Sequence, residues 1–292
     1  MGRSSFVGAP VLLAHLTDIH VADERDYDDA WKAKVRKHSE ALLERLLRDL
    51  AAFRPDHVVL TGDITQTSRS AEFERARAHI DAHLPGIRVT ALPGNHDRWS
   101  GDALRHFERH FGDLAACDLG GRGFPFCHLA GDDVALVALD SSPWVPDADP
   151  AEVKGFVDPA QLERLRTLAA DPRLRSRLLV VLIHHHLRLS LEDEQAADPK
   201  DPTPLVNAGE VLAALQAAKV GLVLHGHRHK QMRLELVLGD RAVPVLCPGS
   251  ATRVDHRPER TGRYGLYRIE EGRLADARFR RWDAARGVFD WA

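Results

Sequence analysis

The stretch Val89-Thr90-Ala91-Leu92-Pro93-Gly94-Asn95-His96-Asp97 decides how this chain reads. A short apolar run ends at Pro-Gly, which forces a tight turn, and the turn presents an amide, an imidazole and a carboxylate in succession. Four other places repeat the pattern. Val11 to Leu16 runs into Asp18-Ile19-His20, and Val58 to Leu60 into Gly62-Asp63. Leu178 to Ile183 runs into His184-His185-His186, and Val220 to Leu224 into Gly226-His227-Arg228-His229. Ligands of hard and borderline metals, delivered by loops at strand ends, are what a two-metal hydrolytic site needs. In a chain with 17 histidines any one of these boxes arises by chance. Five in this order, each closing a strand, do not.

Between the boxes the apolar spacing changes from runs to threes and fours. Trp31, Val35, Leu42, Leu46, Leu50 and Phe53 mark one long helix, stopped by Pro55. Ser70 to Leu84 marks a second helix, and Leu104, Phe107 and Phe111 a third. Asp158-Pro159 opens a fourth in cap-then-proline order, with Leu162, Leu165 and Leu168 on one face. Val134 to Leu139, Val243 to Leu246, Tyr264 to Ile269 and Leu274 to Trp282 read as further strands. With no internal repeat and no linker, residues 1–292 read as one α/β domain carrying a tail at 1–10. The charged, proline-rich stretch Leu191 to Pro204, within a segment spanning 188–208, is either a solvated insertion or a flap over the site. Ser141 to Phe156 invites the same two readings.

Forty basic and 43 acidic side chains leave a net charge of −3, so nothing draws the chain to nucleic acid or an anionic membrane. Three scattered cysteines suggest no disulfide framework. No stretch resembles a signal peptide or a membrane span, so the expectation is a soluble cytoplasmic protein with a small substrate. Phe279, Trp282, Phe289 and Trp291 either form an exposed patch serving a homodimer or fold back onto the core. The pairs His79 with His83 and His106 with His110 have helical spacing and read as surface, while His15 and His57 read as core residues.

The order D-x-H, G-D, G-N-H-D, H-H, G-H-x-H, running from Asp18 to His229, resembles the calcineurin-like metallophosphoesterase superfamily. The resemblance implies a four-layer α/β/β/α sandwich with two central mixed sheets and a dinuclear site at their ends. Carried over by position, Asp18, His20, Asp63 and His229 would hold the first metal. Asp63, Asn95, His184 and His227 would hold the second, with Asp63 bridging and manganese, iron or zinc as the ions. His184 is preferred to His185 because the family's ligand usually occupies the first place after the strand. His96 would be the catalytic histidine, serving the transition state or the leaving group. The second box, Gly62-Asp63-Ile64-Thr65-Gln66, departs from the pattern of serine/threonine protein phosphatases. His20 and Gln66 stand where purple acid phosphatases carry glycine and tyrosine. What remains, including Leu139-Asp140-Ser141, is similar to the class III cyclic-nucleotide and glycerophosphodiester phosphodiesterase group. That implies in-line attack of a metal-bridging hydroxide on a cyclic nucleotide or other small phosphodiester. His186 and Arg228 replace commoner residues and leave the substrate open, with Arg228 expected to face solvent. The alternatives are a phosphomonoesterase, a nucleotide-sugar or lipid pyrophosphatase, a nuclease and a non-enzymatic scaffold.

Overall fold

A computed structural model describes residues 9–23, 37–146, 154–187, 205–255 and 257–292. The first five strands are buried almost throughout: β1 (Val11–Leu16), β2 (His57–Thr61), β3 (Arg88–Leu92), β4 (Phe126–Ala130) and β5 (Val134–Ala138). Next come β6 (Leu178–Leu182), β7 (Leu222–Leu224), β8 (Met232–Leu238), β9 (Arg241–Cys247), β10 (Arg263–Glu270), β11 (Arg273–Asp283) and β12 (Val288–Trp291). They form two six-stranded sheets, ordered β12-β11-β10-β1-β2-β3 and β4-β5-β6-β7-β9-β8. Neither β4, β8 nor β12 was expected from the sequence. Their alternating or short runs carry too weak a period to stand out.

Period-two alternation assigns each strand residue to a layer. Leu13, Val59 and Leu92 of the first sheet meet Leu136, Val180 and Leu224 of the second in a core between the sheets. Their neighbours Ala14, Leu16, Val58 and Leu60 turn outward against three helices, α1 (Glu40–Ala52), α2 (Ser70–His83) and α3 (Ala103–Phe111). Val137, Val181 and Val223 do the same against α4 (Pro159–Ala169) and α5 (Ala208–Ala217). The result is the four-layer α/β/β/α sandwich. Pairs β1–β2, β2–β3, β5–β6, β6–β7 and β7–β9 are parallel, so the loops after β1, β2, β3, β6 and β7 all leave from carboxyl ends. Those five loops are the five boxes, placed where open parallel sheets put their ligands.

Several sequence expectations need correction. The first helix starts at Glu40, capped by Ser39, whose hydroxyl accepts the Leu42 N–H at 3.2 Å. Trp31 and Val35 lie outside the described residues, as does 188–204, the greater part of the flap segment. Leu104 is 42% exposed, and Ala103 joins Phe107 and Phe111 on the buried face instead. The two helical histidine pairs are only partly exposed and are hydrogen-bonded. His79 meets Glu40 at 3.0 Å, His106 meets the Ser68 carbonyl at 2.9 Å, and His110 meets the Ser70 hydroxyl at 2.8 Å. Phe279 and Phe289 are buried and Trp282 packs on the core, leaving Trp291 (45% exposed) as the outlying member of the C-terminal aromatic group. Among the described residues no helix is long and apolar enough to cross a membrane.

His15 and His57 are core residues, as expected. His15 bonds Thr61 at 2.8 Å and Tyr267 at 3.3 Å. His57 and His128 share the Thr90 hydroxyl, at 2.6 Å each. Burial, reinforced by His128, pushes the His57 imidazole down to about 3. The unfolded chain therefore takes up this proton first, so the contribution is intact above the unfolded value near 6.5 and is lost as pH falls toward 3. The expected outcome is a melting temperature that drops between pH 6.5 and 4. In His57→Gln the drop is shallower, as thermal unfolding across that range will record.

Candidate metal centre

Hydrogen bonds between loops draw the boxes together before any side chain is considered. The Asp18 N–H donates to the Gly62 carbonyl at 3.0 Å, and the His20 N–H to the Asp63 carbonyl at 2.9 Å. Asp18 and His20 lie beyond the end of β1, so strand alternation does not align them, contrary to the sequence reading. Both adopt left-handed backbone, with φ of 53° and 44°. Asp63, His227 and His229 do likewise, at 51°, 72° and 52°. Each such non-glycine residue costs about 1–3 kcal/mol unless neighbours hold it there.

Those neighbours are visible. Asp97 accepts four hydrogen bonds, from the N–H groups of Gly94, Ile64 and Thr65 and from the Thr65 hydroxyl, at 2.7–3.0 Å. It thereby ties the second box to the third. Burial and nearby Asp63 push its carboxyl up to about 6, against donors that favour the charged form. The loop after β9 braces the first box: Ser250 donates to the Asp18 carbonyl at 2.8 Å, Thr252 to the Ile19 carbonyl at 2.7 Å, and the Ala251 N–H to the Thr17 carbonyl at 3.0 Å. Two glycines allow close approach. A Cβ on Gly94 would stand 2.2 Å from Asp63 Oδ1, and one on Gly226 1.9 Å from Thr17 Oγ1.

The side chains then converge. His20 Nε2 lies 3.1 Å from His229 Nε2 and 3.6 Å from Asp63 Oδ2, and His229 Nε2 lies 3.1 Å from Asp18 Oδ1. Donor atoms of Asp18, His20, Asp63 and His229 all fall within 4.8 Å of one another, as a shared cation requires. The other oxygen of Asp63 lies 3.4 Å from His184 Nε2. Asn95 Oδ1 is 3.0 Å from both His184 Nε2 and His227 Nδ1. All seven side chains named as metal ligands from the sequence are therefore brought together in these two adjoining groups. Their donor atoms are nitrogen and oxygen, the set that suits manganese, iron or zinc.

Within the histidine triplet the three rings diverge in role. His184 carries its Nδ1 proton to the Thr61 carbonyl at 2.7 Å, leaving Nε2 toward Asp63 and Asn95. His185 turns instead to Ser141, 3.0 Å from Nδ1. Burial alone would raise the Asp63 carboxyl, but His184, His96 and His20 hold it well below the usual carboxylate range. His184 responds in kind: burial lowers it, Asp63 more than offsets that, and the imidazole is pushed up to about 9. A cation held here by His184 Nε2 would displace that proton, so its binding would be coupled to proton release. Burial holds the His20 and His227 imidazoles well below their ordinary value, in the neutral form that ligates.

His96 approaches from the third box, its ring edge-on to His20 at 4.7 Å and tilted against Trp99 at 5.4 Å. The His96 backbone N–H donates to Asp63 Oδ1 at 2.9 Å. The Gln66 carbonyl, 2.8 Å from Nδ1, can only accept, so Nδ1 carries a proton. The Gln66 side-chain amide, placed with its nitrogen 3.2 Å from the same atom, satisfies that donor better with its oxygen turned inward. Sequence reasoning noticed Gln66 only as an absent tyrosine. It quoted Asp97 in the third box without giving it a role, and it missed Ser250, Thr252 and His38, the last of which belongs to no strand-end box. Arg228 is 4% exposed and does not face solvent, contrary to expectation. Arg98, just beyond the third box, pairs with Asp140 after β5 and links the two sheets beside the site.

No curated protein matches the chain significantly. Among solved structures it aligns with purple acid phosphatase PPD1 of yellow lupin (Lupinus luteus), with a TM-score of 0.59 and 12% identity over 97% of this chain. That alignment covers 53% of the lupin protein, so the chain spans about half its length and the likeness is one of fold. Looser matches are a Vps29 double mutant from Entamoeba histolytica (TM-score 0.44, 13% identity, 97% of each chain) and GAP50 of Plasmodium (0.49, 10%, 97% of this chain and 88% of that one). A family model for calcineurin-like phosphoesterases matches residues 11–231, a span that takes in every one of the five boxes, and the chain belongs to that family.

Proposed function

We propose that this phosphoester hydrolase holds two cations, one between Asp18, His20, Asp63 and His229 and one between Asp63, Asn95, His184 and His227, and that it cleaves phosphodiesters. The observation that carries the reading is the position of Asp63, a buried carboxylate with His20 3.6 Å from one oxygen and His184 3.4 Å from the other. The residues fit the ions: His20 Nε2 and His229 Nε2 face each other at 3.1 Å with two carboxylates beside them, a cluster of lone pairs that a cation satisfies. Two such cations supply a water acidic enough to be nucleophilic near neutral pH and positive charge toward the phosphoryl oxygens. Manganese, iron and zinc all accept this donor set.

A diester leaves as an alkoxide, which needs a proton. His96 is the residue to deliver it. Its Nδ1–H is held by the Gln66 carbonyl, which fixes the ring and stabilises the imidazolium, and Nε2 is left for the leaving oxygen. The diester reading is supported further by His20 in the first box and by Gln66 in place of a tyrosine. Trp99 beside His96 gives a flat apolar surface that suits an organic substituent on the phosphate, a cyclic nucleotide or another small phosphodiester. The net charge of −3 supports a small substrate over nucleic acid, and the three free cysteines support a reducing, cytoplasmic setting.

Three outcomes are expected of protein loaded with manganese. Bis-p-nitrophenyl phosphate is hydrolysed faster than p-nitrophenyl phosphate, with cyclic AMP turned over, and a preference for the monoester overturns the diester reading. His96→Ala lowers kcat by ~10²- to 10³-fold while metal analysis still finds two ions per chain. Asp63→Ala loses at least one of the two ions, and retention of both with full activity refutes the site.

A further inference from the structure

His38 comes from the segment before α1, yet its ring lies against the metal centre. Its centroid is 4.3 Å from that of His20 and 5.6 Å from that of His229. One ring nitrogen of each of these three residues falls within 4.8 Å of the others. We propose that His38 is a further imidazole ligand of the cation between Asp18, His20, Asp63 and His229, oriented for that purpose by Thr252.

The proton positions carry the argument. The Thr252 hydroxyl has one proton and gives it to the Ile19 carbonyl, 2.7 Å away, which can only accept. Toward His38 Nδ1, 2.9 Å away, the same oxygen must therefore act as acceptor, so Nδ1 carries the proton. The other ring nitrogen, Nε2, is left with a lone pair. A neutral imidazole whose second N–H is held by an anchored oxygen is the form in which histidine binds metal. A phosphodiester oxygen has no proton to offer that lone pair and would be repelled by it, so the arrangement selects a cation over the substrate.

The ring is also held from its backbone. Residue 38 forms an isolated antiparallel bridge with Arg253, the Ser39 N–H donates to the Thr252 carbonyl at 3.0 Å, and the Val254 N–H donates to the Lys37 carbonyl at 2.7 Å. Ser39 in turn caps α1. The loop that orients the imidazole through Thr252 thus also positions the chain that bears it, and braces the first box through the Ile19 carbonyl. His38 adds a third nitrogen to the first position, while the second has two imidazoles and an amide oxygen. The first position then favours borderline metals such as zinc over harder ones.

This inference rests on the two-cation reading, and one experiment separates their failures. Wild type, His38→Ala and Thr252→Val are loaded with cobalt(II), analysed for metal content, and challenged with excess chelator while the visible spectrum is followed. Wild type binds two ions. His38→Ala releases one of them ~10- to 100-fold faster with an altered d–d band, and Thr252→Val shifts the same phase in the same direction by a smaller factor. Fewer than two ions in wild type overturns the two-cation reading itself. Two ions in wild type, with folded Thr252→Val and His38→Ala both keeping its spectrum and release rates, overturns the role of His38 alone. Should His38→Ala fail to fold, an unchanged spectrum and release profile in Thr252→Val suffices to overturn it.

Discussion

Asp63 keeps a charged carboxyl group at 1% exposure, with the imidazoles of His20 and His184 on its two oxygens and the His96 N–H on one of them. Burying that charge without partners would cost several kcal/mol. The partners come from three different loops, so the carboxylate can exist there only if the loops are already in register. The strands supply that register. Parallel pairing joins β1–β2–β3 in one sheet and β5–β6–β7–β9 in the other; five of these seven strands, β1, β2, β3, β6 and β7, run at their carboxyl ends into the boxes, and the apolar core between the sheets brings those ends together.

Strain in the backbone is the counterpart of this convergence. Asp18, His20, Asp63, His227 and His229 all have positive φ, in a region that L-residues seldom occupy. A row of such residues would relax in an isolated peptide. Here Asp97 holds the second and third boxes from beneath, and Ser250, Ala251 and Thr252 hold the first from the side. The active geometry is therefore a property of loop-to-loop hydrogen bonds, with the sheets as their frame. Small residues at Gly94 and Gly226 permit these approaches, since any Cβ there would collide with Asp63 or Thr17.

Histidine serves three ends in this molecule, and environment sorts them. His57 and His128 share a threonine hydroxyl between the two sheets and are held neutral by burial. His184 sits against Asp63, which pushes its imidazole up to about 9 despite burial. His79 and His110 tie helices to one another, and His106 ties α3 to the turn before α2. Residue type alone could not divide these groups, because an imidazole in each is donor, acceptor or ion according to what it touches.

The converging side chains were legible because each follows an apolar run and because carboxylate, amide and imidazole recur in a fixed order. The four-layer fold was legible from the same runs, read with the resemblance that the order carries. Illegible were features that depend on contacts between distant segments. These include the reversal of Leu104 to the surface, the burial of Arg228, and the weakly patterned strands β4, β8 and β12. His38 and Thr252 are 214 residues apart and belong to no motif, yet they meet at 2.9 Å. The sequence by itself determined which residues bear the chemistry and that strands would present them, since hydrophobic period and ligand type are local properties. Only the tertiary structure decided which way each imidazole faces and which proton it keeps, because tautomer and charge follow from the nearest acceptor in space.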